Sequence, residues 1–250
     1  MGMQLLHLNE FFTYETSLPH GIGFGMFGLG HFVWLAVICI GIMGIMRWYR
    51  TASEKVKRGI EVVTAASLVL WIILRAIYIA ILQENFLYEL PLHLCSMAGI
   101  LCGVHCLTHW EWLGQVLYSL CLPGAVLALL FPNWNFYPAI HFLTIEAFLF
   151  HMGIVLYVFT MLYSHTIVPN VRRLWKVIVF MIAVVVPIYF FDKQYDVNYM
   201  FVNRPSAGSP LVWLADRMGD PGYLVGYALL MLLCVVLMDL GYMVHVRRGH

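Results

Sequence analysis

Charged side chains are scarce in this chain: Asp, Glu, Lys and Arg make up 11% of its 250 residues. Soluble domains carry roughly 25% charged residues and 45–50% apolar ones, whereas 62% of this sequence is hydrophobic. The composition therefore excludes an ordinary soluble domain and predicts an all-α integral membrane protein, with 1–250 as a single transmembrane helical domain. A net charge of +1 argues against a nucleic-acid partner, because nucleic-acid binding requires clustered Lys and Arg.

Two further absences narrow the class. The first twenty residues contain no Lys or Arg, so they lack the basic beginning of a secretory signal, and we expect no cleavage. Polar connections contain no cysteine, and no C-x-x-C pair occurs, so we expect neither a disulfide framework nor a zinc site, and no cofactor. All six cysteines lie in apolar runs: Cys39, Cys95, Cys102, Cys106, Cys121 and Cys234.

Long apolar runs are the main feature that the sequence does contain. Seven of them are long enough to cross a hydrocarbon core of ~30 Å, although the third and the sixth are short. They lie near 27–46, 60–82, 91–108, 112–131, 138–162, 174–191 and 222–243. This pattern predicts a polytopic bundle of seven transmembrane helices.

If the chain crosses the membrane seven times, its basic residues are divided unequally between the two sides of the membrane. One side has only three, all in the sixth connection. By the positive-inside rule, the N-terminus is then outside and the C-terminus cytoplasmic, and we expect a multi-pass protein of the cell membrane. The other side has ten of the 14 basic residues: Arg47, Arg50, Lys55, Lys57, Arg58, Arg172, Arg173, Lys176, Arg247 and Arg248.

Two connecting segments have distinctive sequences. The sixth connection, 192–221, is the only long one, and Ser209-Pro210 is typical of a helix start and Gly219 of a helix end. We predict a short interfacial helix between them on the outer surface, which would act as a lid; an ordered loop is an equal alternative. The glycine-rich stretch 21–30 is expected to form a closely packed helix face rather than a flexible entry segment.

Ionisable side chains inside apolar runs are costly, so each marks a candidate functional site. Cys95 begins the third run, with His93 and Ser96 beside it. A rise of 1.5 Å per residue puts Cys95 about one turn, and Arg75 and Glu146 about two turns, from the outer end. Because Arg75 and Glu146 match in depth and are opposite in charge, we predict an ion pair. The alternative is that Arg75 receives a lipid phosphate.

Cys95 is a candidate nucleophile, but a thiol needs a base or a cationic neighbour to become reactive. His141 matches its depth, His151 lies deeper on the same face of the fifth run, and His93 points about 200° away from it. His93 would therefore orient substrate or a second histidine instead of taking the proton. The competing interpretation of this segment is a small-residue packing seam. Its members would be Cys95, Ala98, Gly99, Cys102 and Cys106.

The segment 90–96, Leu-Pro-Leu-His-Leu-Cys-Ser, resembles the YwaF-type family of bacterial integral membrane proteins. The likeness reaches from about 31 to 240, although Glu146 departs from it, and so does the lack of a proline immediately before His141. Looser matches are 124–130, the spacing from His141 to His151, 198–201 with Arg204-Pro205, and 214–230.

That family is similar to a eukaryotic multi-pass acyltransferase that remodels ether phospholipids, and more remotely to androgen-induced transmembrane hydrolases of fatty-acid esters. The resemblance implies that Cys95 is the nucleophile and His151 the base, with His141 and His93 in support, although depth alone favours His141 as the base. The substrate-binding residues that we expect are His93, Arg75, Glu146, Ser96 and Asn198.

The sequence thus predicts a lipid acyltransferase or acyl-ester hydrolase with membrane lipids as its substrate partners; its oligomeric state stays open. The alternative is a small-solute transporter or channel, with a polar path lined by Arg75, Glu146, His141 and His151. A structural membrane protein is third. A retinal-binding receptor is excluded because the last run has no lysine.

Overall fold

The structure, a computed structural model, describes residues 7–206 and 209–248. These residues form helices joined by short connections, and no strand occurs among them, which confirms the predicted all-α class. The main helices, numbered in chain order, are α1 (Leu29–Thr51), α2 (Glu54–Leu82), α3 (Leu94–Thr108), α4 (Glu111–Leu130), α5 (Phe142–Tyr163), α6 (Leu174–Tyr195), α7 (Pro210–Met218) and α8 (Tyr223–Arg248).

Each of the seven predicted apolar runs coincides with a helix. Within the described part of the chain, six helices are long and apolar enough to cross a membrane, namely α1, α2, α4, α5, α6 and α8. Helix α3 is apolar but has only 15 residues, about 22 Å at 1.5 Å per residue, whereas a crossing takes about 20 residues. The chain is therefore a multi-pass membrane protein with six helices of full length and a shorter seventh.

Helices α4 and α5 form the centre of the bundle. The buried share of their apolar windows is 67% in each, against 11–22% in α1, α2, α6 and α8. Those four outer helices expose large apolar side chains, among them Ile40, Ile81 and Phe190. A soluble monomer rarely exposes so much continuous apolar surface, so lipid tails are the natural cover for it.

Helix α4 changes its winding near its middle. Pro123 has no N–H to donate, and its ring crowds the preceding turn; just before it, the helix widens into a π turn over Leu117–Cys121. Two side chains of this region reach the buried carboxylate of Asp239 on α8. Ser119 donates to it at 2.6 Å and Gln115 at 2.8 Å. Because every partner is buried, this network fixes α4 against α8.

One end of the bundle collects basic side chains, and we name it the basic end. Arg58 Nη2 donates to the Cys106 carbonyl oxygen at 2.8 Å, and its Nη1 lies 3.3 Å from Nε2 of His109. Arg173 donates to Glu111 at 2.5 Å. The starts of α2, α4 and α6 and the end of α3 therefore meet at this end.

The opposite end is built from the other connections and the N-terminal segment. The Tyr199 hydroxyl donates to the Leu87 carbonyl at 2.7 Å and accepts from the Leu90 amide at 2.8 Å. The Phe24 amide donates to the Tyr137 carbonyl at 3.0 Å. These bonds hold the segment after α6 against the α2–α3 connection, and the N-terminal segment against the α4–α5 connection.

The glycine-rich stretch 21–30 packs closely only in part, and it is not a helix face. Gly21 and Gly25 have φ of +80° and +68°, which an α-helix does not allow, and α1 begins only at Leu29. A Cβ on Gly23 would lie 2.3 Å from the Asn135 carbonyl oxygen. Close packing therefore holds at Gly23 but not at the exposed Gly21 and Gly25, and the predicted helix is wrong, because the left-handed glycines turn the chain.

The short helix predicted in the sixth connection is confirmed as α7. The Ser209 hydroxyl accepts from the Leu211 amide at 3.3 Å, Pro210 occupies the first turn, and Gly219 ends the helix with φ +68°. Leu211 is buried, and Leu214 contacts α8 at Gly226. The interfacial position and the lid role that we expected for this helix stay predictions.

Candidate functional site

The site begins where α3 begins. Pro91 and the residues around it are not helical, His93 is the N-cap, and the first intrahelical bond runs from the Met97 amide to the His93 carbonyl. The amides of the first turn, including that of Cys95, therefore have no partner within the helix. The helix dipole adds positive character to this first turn, in which Cys95 is the second residue.

A cavity of about 1520 Å³ opens beside this helix start. Ligand pockets for small molecules usually measure ~300–1,000 Å³, so this one is large enough for a long ligand. It is bordered by helices α2 to α8 and the connections at the opposite end. Ile77, Ile182 and Phe190 are among its lining residues and are 49–65% exposed, so its rim is apolar and continuous with the outer surface.

Six of the candidate residues border this cavity. They are Arg75, His93, Cys95, Ser96, Glu146 and His151.

The charged groups of the cavity are clustered around Arg75. Its Nη1 lies 3.0 Å from Glu146, which confirms the predicted ion pair, and its Nε donates to Glu89 at 2.8 Å. The Tyr14 hydroxyl donates to the other oxygen of Glu89 at 2.6 Å. Glu15 also borders the cavity, and burial together with the neighbouring Glu89 raises its pKa. The cluster thus has more carboxylates than cations.

His151 is oriented by two neighbours. Its Nδ1 lies 2.6 Å from the Ala147 carbonyl oxygen, which assigns the proton to Nδ1 and leaves Nε2 as the acceptor. The Trp134 indole stacks on its ring, with centroids 5.1 Å apart and planes at 19°. Because His151 borders the cavity, Nε2 is available to take a proton from a group bound there.

His93 faces the segment after α6. Its Nδ1 accepts from the Met200 amide at 3.3 Å, and its ring packs edge-on against Tyr199 with centroids 5.0 Å apart. The imidazole therefore couples the start of α3 to that segment.

Two sequence candidates lie outside the cavity lining. His141 caps α5: its Nδ1 accepts from the Leu143 amide at 3.1 Å, and its Nε2 lies 2.9 Å from the Thr13 carbonyl oxygen. Asn198 holds its own loop, since it accepts from the Arg204 amide at 2.9 Å and donates to the Arg204 carbonyl at 3.0 Å. Both side chains are thus occupied by backbone groups of the protein.

Cys95 makes no hydrogen bond to a histidine within 7–206 and 209–248. It is half-buried, whereas Ala98 and Cys102 of the same stripe are fully buried in the core. A Cβ on Gly99 would lie 2.7 Å from the Phe150 ring. The stripe is therefore a packing seam along most of its length, and Cys95 is its member that reaches the cavity.

Glu15, Glu89 and Trp134 are among the cavity residues that sequence reasoning missed. Glu89 did carry a signal, because it is an acidic residue two positions before Pro91, where the third apolar run begins. Trp134 lies in the aromatic-rich connection between α4 and α5. In the part of the chain that the structure describes, no group of three or more His, Cys, Asp or Glu side chains could hold a metal ion.

Fold and cavity together define a multi-pass α-helical membrane protein with a charged, histidine-containing cavity beside its lipid-facing surface. The chain belongs to the TMEM164 family, whose family model matches residues 26–239. Comparisons with curated proteins and with solved structures gave no significant match.

Proposed function

We propose that this protein is a membrane enzyme that transfers or hydrolyses the acyl groups of lipids, with Cys95 as nucleophile and His151 as base. One observation carries the proposal: the thiol at a helix N-terminus and a histidine with a free Nε2 border the same large cavity. The sequence likeness to YwaF-type proteins, and through them to an ether-phospholipid acyltransferase and to fatty-ester hydrolases, is consistent with this chemistry.

The proposed topology has seven spans, with α3 as the third. It is supported by the contacts of that helix, which begins beside Met200 at the opposite end and finishes beside Arg58 at the basic end. The N-terminus would then be outside, and the basic end would face the cytoplasm of the cell membrane. A lipid would enter the cavity sideways from the outer leaflet, past its apolar rim.

The chemistry has two half-reactions. In the first, the Cys95 sulfur attacks the ester carbonyl carbon, His151 Nε2 takes the thiol proton, the C–O bond breaks, and the proton passes to the leaving alcohol oxygen. In the second, a lysolipid hydroxyl or water gives its proton to Nε2 and attacks the thioester carbonyl. The C–S bond then breaks, and the proton returns to the sulfur.

Free amides in the first turn of α3 would hold the carbonyl oxygen as it becomes negative. Arg75, with Glu89 and Glu146, would bind the polar headgroup, and Ser96 and His93 would border the same position. His141 and Asn198 are not part of this proposal, because backbone groups already occupy their side chains.

The cavity favours a lipid over a small polar solute. Its charged groups gather around Arg75, while α4, α6 and α8 contribute mainly apolar side chains such as Leu127, Val185 and Met231. A transport path would need polar groups along its whole length.

The test uses the full chain, purified in mixed micelles with a diacyl phospholipid whose acyl chain is labelled and a lysophospholipid acceptor. Cys95→Ala should lose the hydroxylamine-sensitive label on the protein and lower acyl transfer or release by about 10²-fold or more. His151→Gln should slow both half-reactions by a comparable factor, since the general base typically contributes about 10²–10⁴-fold.

The matched control is Cys234→Ala, because Cys234 is a second cysteine on the cavity wall. It should keep both the label and turnover, and His141→Ala should keep turnover per folded molecule. Labelling that persists in Cys95→Ala, or that is lost equally in Cys234→Ala, would refute the assignment. Thermal unfolding of each variant separates loss of chemistry from loss of fold.

A further inference from the structure

A second large groove lies at the basic end, remote from the residues of the proposed reaction. It has a volume of about 1450 Å³ and runs between the end of α1 and the end of α5, with Tyr242 of α8 at one side. Its inner wall is apolar and includes Ile42, Phe159 and Leu162. At the level where α1 finishes, it is bordered by basic side chains.

Two arginines of the last turns of α1, Arg47 and Arg50, border this groove. Both are exposed, and within the described residues neither forms a salt bridge or a side-chain hydrogen bond. Arg50 lies over the Tyr163 ring at 5.6 Å, which holds its guanidinium at the groove. His165 completes the polar rim.

Two other arginines of the basic end, Arg58 and Arg173, each form a salt bridge. Arg58 is paired with Glu61 and Arg173 with Glu111. Among the described residues, Arg47 and Arg50 therefore place two uncompensated positive charges on the groove itself, whereas the unpaired charges of Lys55 and Arg172 lie outside it. Guanidinium groups bind phosphate oxygens in a bidentate manner, and α1 is long enough to place its last turn at the headgroup level of a bilayer.

We propose that this groove binds one anionic glycerophospholipid, with its phosphate between Arg47 and Arg50 and an acyl chain along the apolar wall formed by α1 and α5. Charge complementarity selects the headgroup, and the apolar wall selects a lipid over a soluble anion. The exposed indole of Trp48 beside the groove is typical of a membrane–water interface. The site is independent of the reaction proposed for the main cavity.

The experiment compares lipid retention by the purified full chain, using native mass spectrometry after exchange into phosphatidylglycerol or phosphatidylcholine. The wild-type protein should retain phosphatidylglycerol preferentially and unfold at a higher temperature with it. The variant Arg47→Gln/Arg50→Gln should bind phosphatidylglycerol about tenfold more weakly or worse, and Arg47→Lys/Arg50→Lys should recover only part of the binding, because lysine keeps the charge but not the bidentate geometry.

The matched control is Lys55→Gln/Arg172→Gln, which removes two exposed charges at the same end but outside the groove. It should leave retention unchanged. Equal loss in this control would show diffuse attraction and overturn the site. The proposal is also overturned if Arg47→Gln/Arg50→Gln binds like the wild type, or if glycerol phosphate without acyl chains stabilises the protein as strongly as the lipid. Acyl-transfer activity is measured separately, so that failure of the proposed reaction is distinguished from failure of lipid binding at the groove.

Discussion

At the scale of single residues, Arg75 compensates the negative charges of the cavity and links the elements that carry them. One guanidinium serves two carboxylates, Glu89 and Glu146, whose side chains are 12% and 6% exposed. Removing one partner from a buried pair leaves an uncompensated charge, which costs more than the pair itself contributes. Arg75 is 36% exposed, so solvent in the cavity screens part of that cost.

Arg75→Gln should lower the free energy of unfolding by about 2 kcal/mol, because two carboxylates would then face each other without a cation. Glu146→Gln should cost less, about 1 kcal/mol, since Glu89 still pairs with the arginine. The measurement is thermal and denaturant unfolding in detergent.

In the double variant Arg75→Gln/Glu146→Gln, the loss should be smaller than the sum of the two single losses, which reveals the coupling. Additive losses would mean that the two side chains act independently. An Arg75→Gln protein as stable as the wild type would mean that solvent already screens the charges of the two carboxylates.

At the scale of helices, the contact between α3 and α5 depends on Gly99. A Cβ there would lie 2.7 Å from the Phe150 ring and 3.3 Å from Ile72. Phe150 borders the main cavity, so the spacing of these helices also determines the width of that cavity. Small residues at such contacts let helix backbones approach closely in membranes.

Gly99→Ala should therefore destabilise the protein by about 1 kcal/mol or more, since overpacking outweighs the gain in helix propensity. It should also reduce lipid binding in the main cavity, because the Phe150 ring must shift. Unfolding temperature and retention of a labelled phospholipid would measure the two effects.

Gly59→Ala is the matched control on α2, because no heavy atom lies within 4 Å of its added Cβ and Gly59 borders neither the main cavity nor the groove. It should be neutral or slightly stabilising. Equal effects of the two substitutions would mean that the α3–α5 contact is looser than described.

At the scale of the whole molecule, the short helix α3 decides the topology. If it crosses the bilayer, the connections after α2 and after α6 lie on the same side. If it does not, every later connection changes sides, and those two connections lie on opposite sides.

Labelling of introduced cysteines with a membrane-impermeant maleimide in intact cells distinguishes the two cases. Seven spans predict that Asn85→Cys and Arg204→Cys are both labelled from outside. Lys55→Cys and Arg172→Cys should be labelled only after permeabilisation. All four positions are exposed in the structure.

Labelling of Asn85→Cys but not Arg204→Cys would instead mean six spans. The native cysteines are the background control, because all six lie in apolar helices.

The sequence by itself determined the membrane class, the positions of the seven apolar helices, the start and end of α7, and the pairing of Arg75 with Glu146. These follow from rules that act along the chain: hydrocarbon thickness, capping chemistry, and the cost of an unpaired charge in lipid. Only the tertiary structure decided that Glu89 joins the pair, that His141 is a cap while His151 borders the cavity, and that Trp134 stacks on His151. Such contacts depend on how each helix is rotated against its neighbours and on connections that return to the bundle. Packing between distant segments sets that rotation, and local sequence does not encode it.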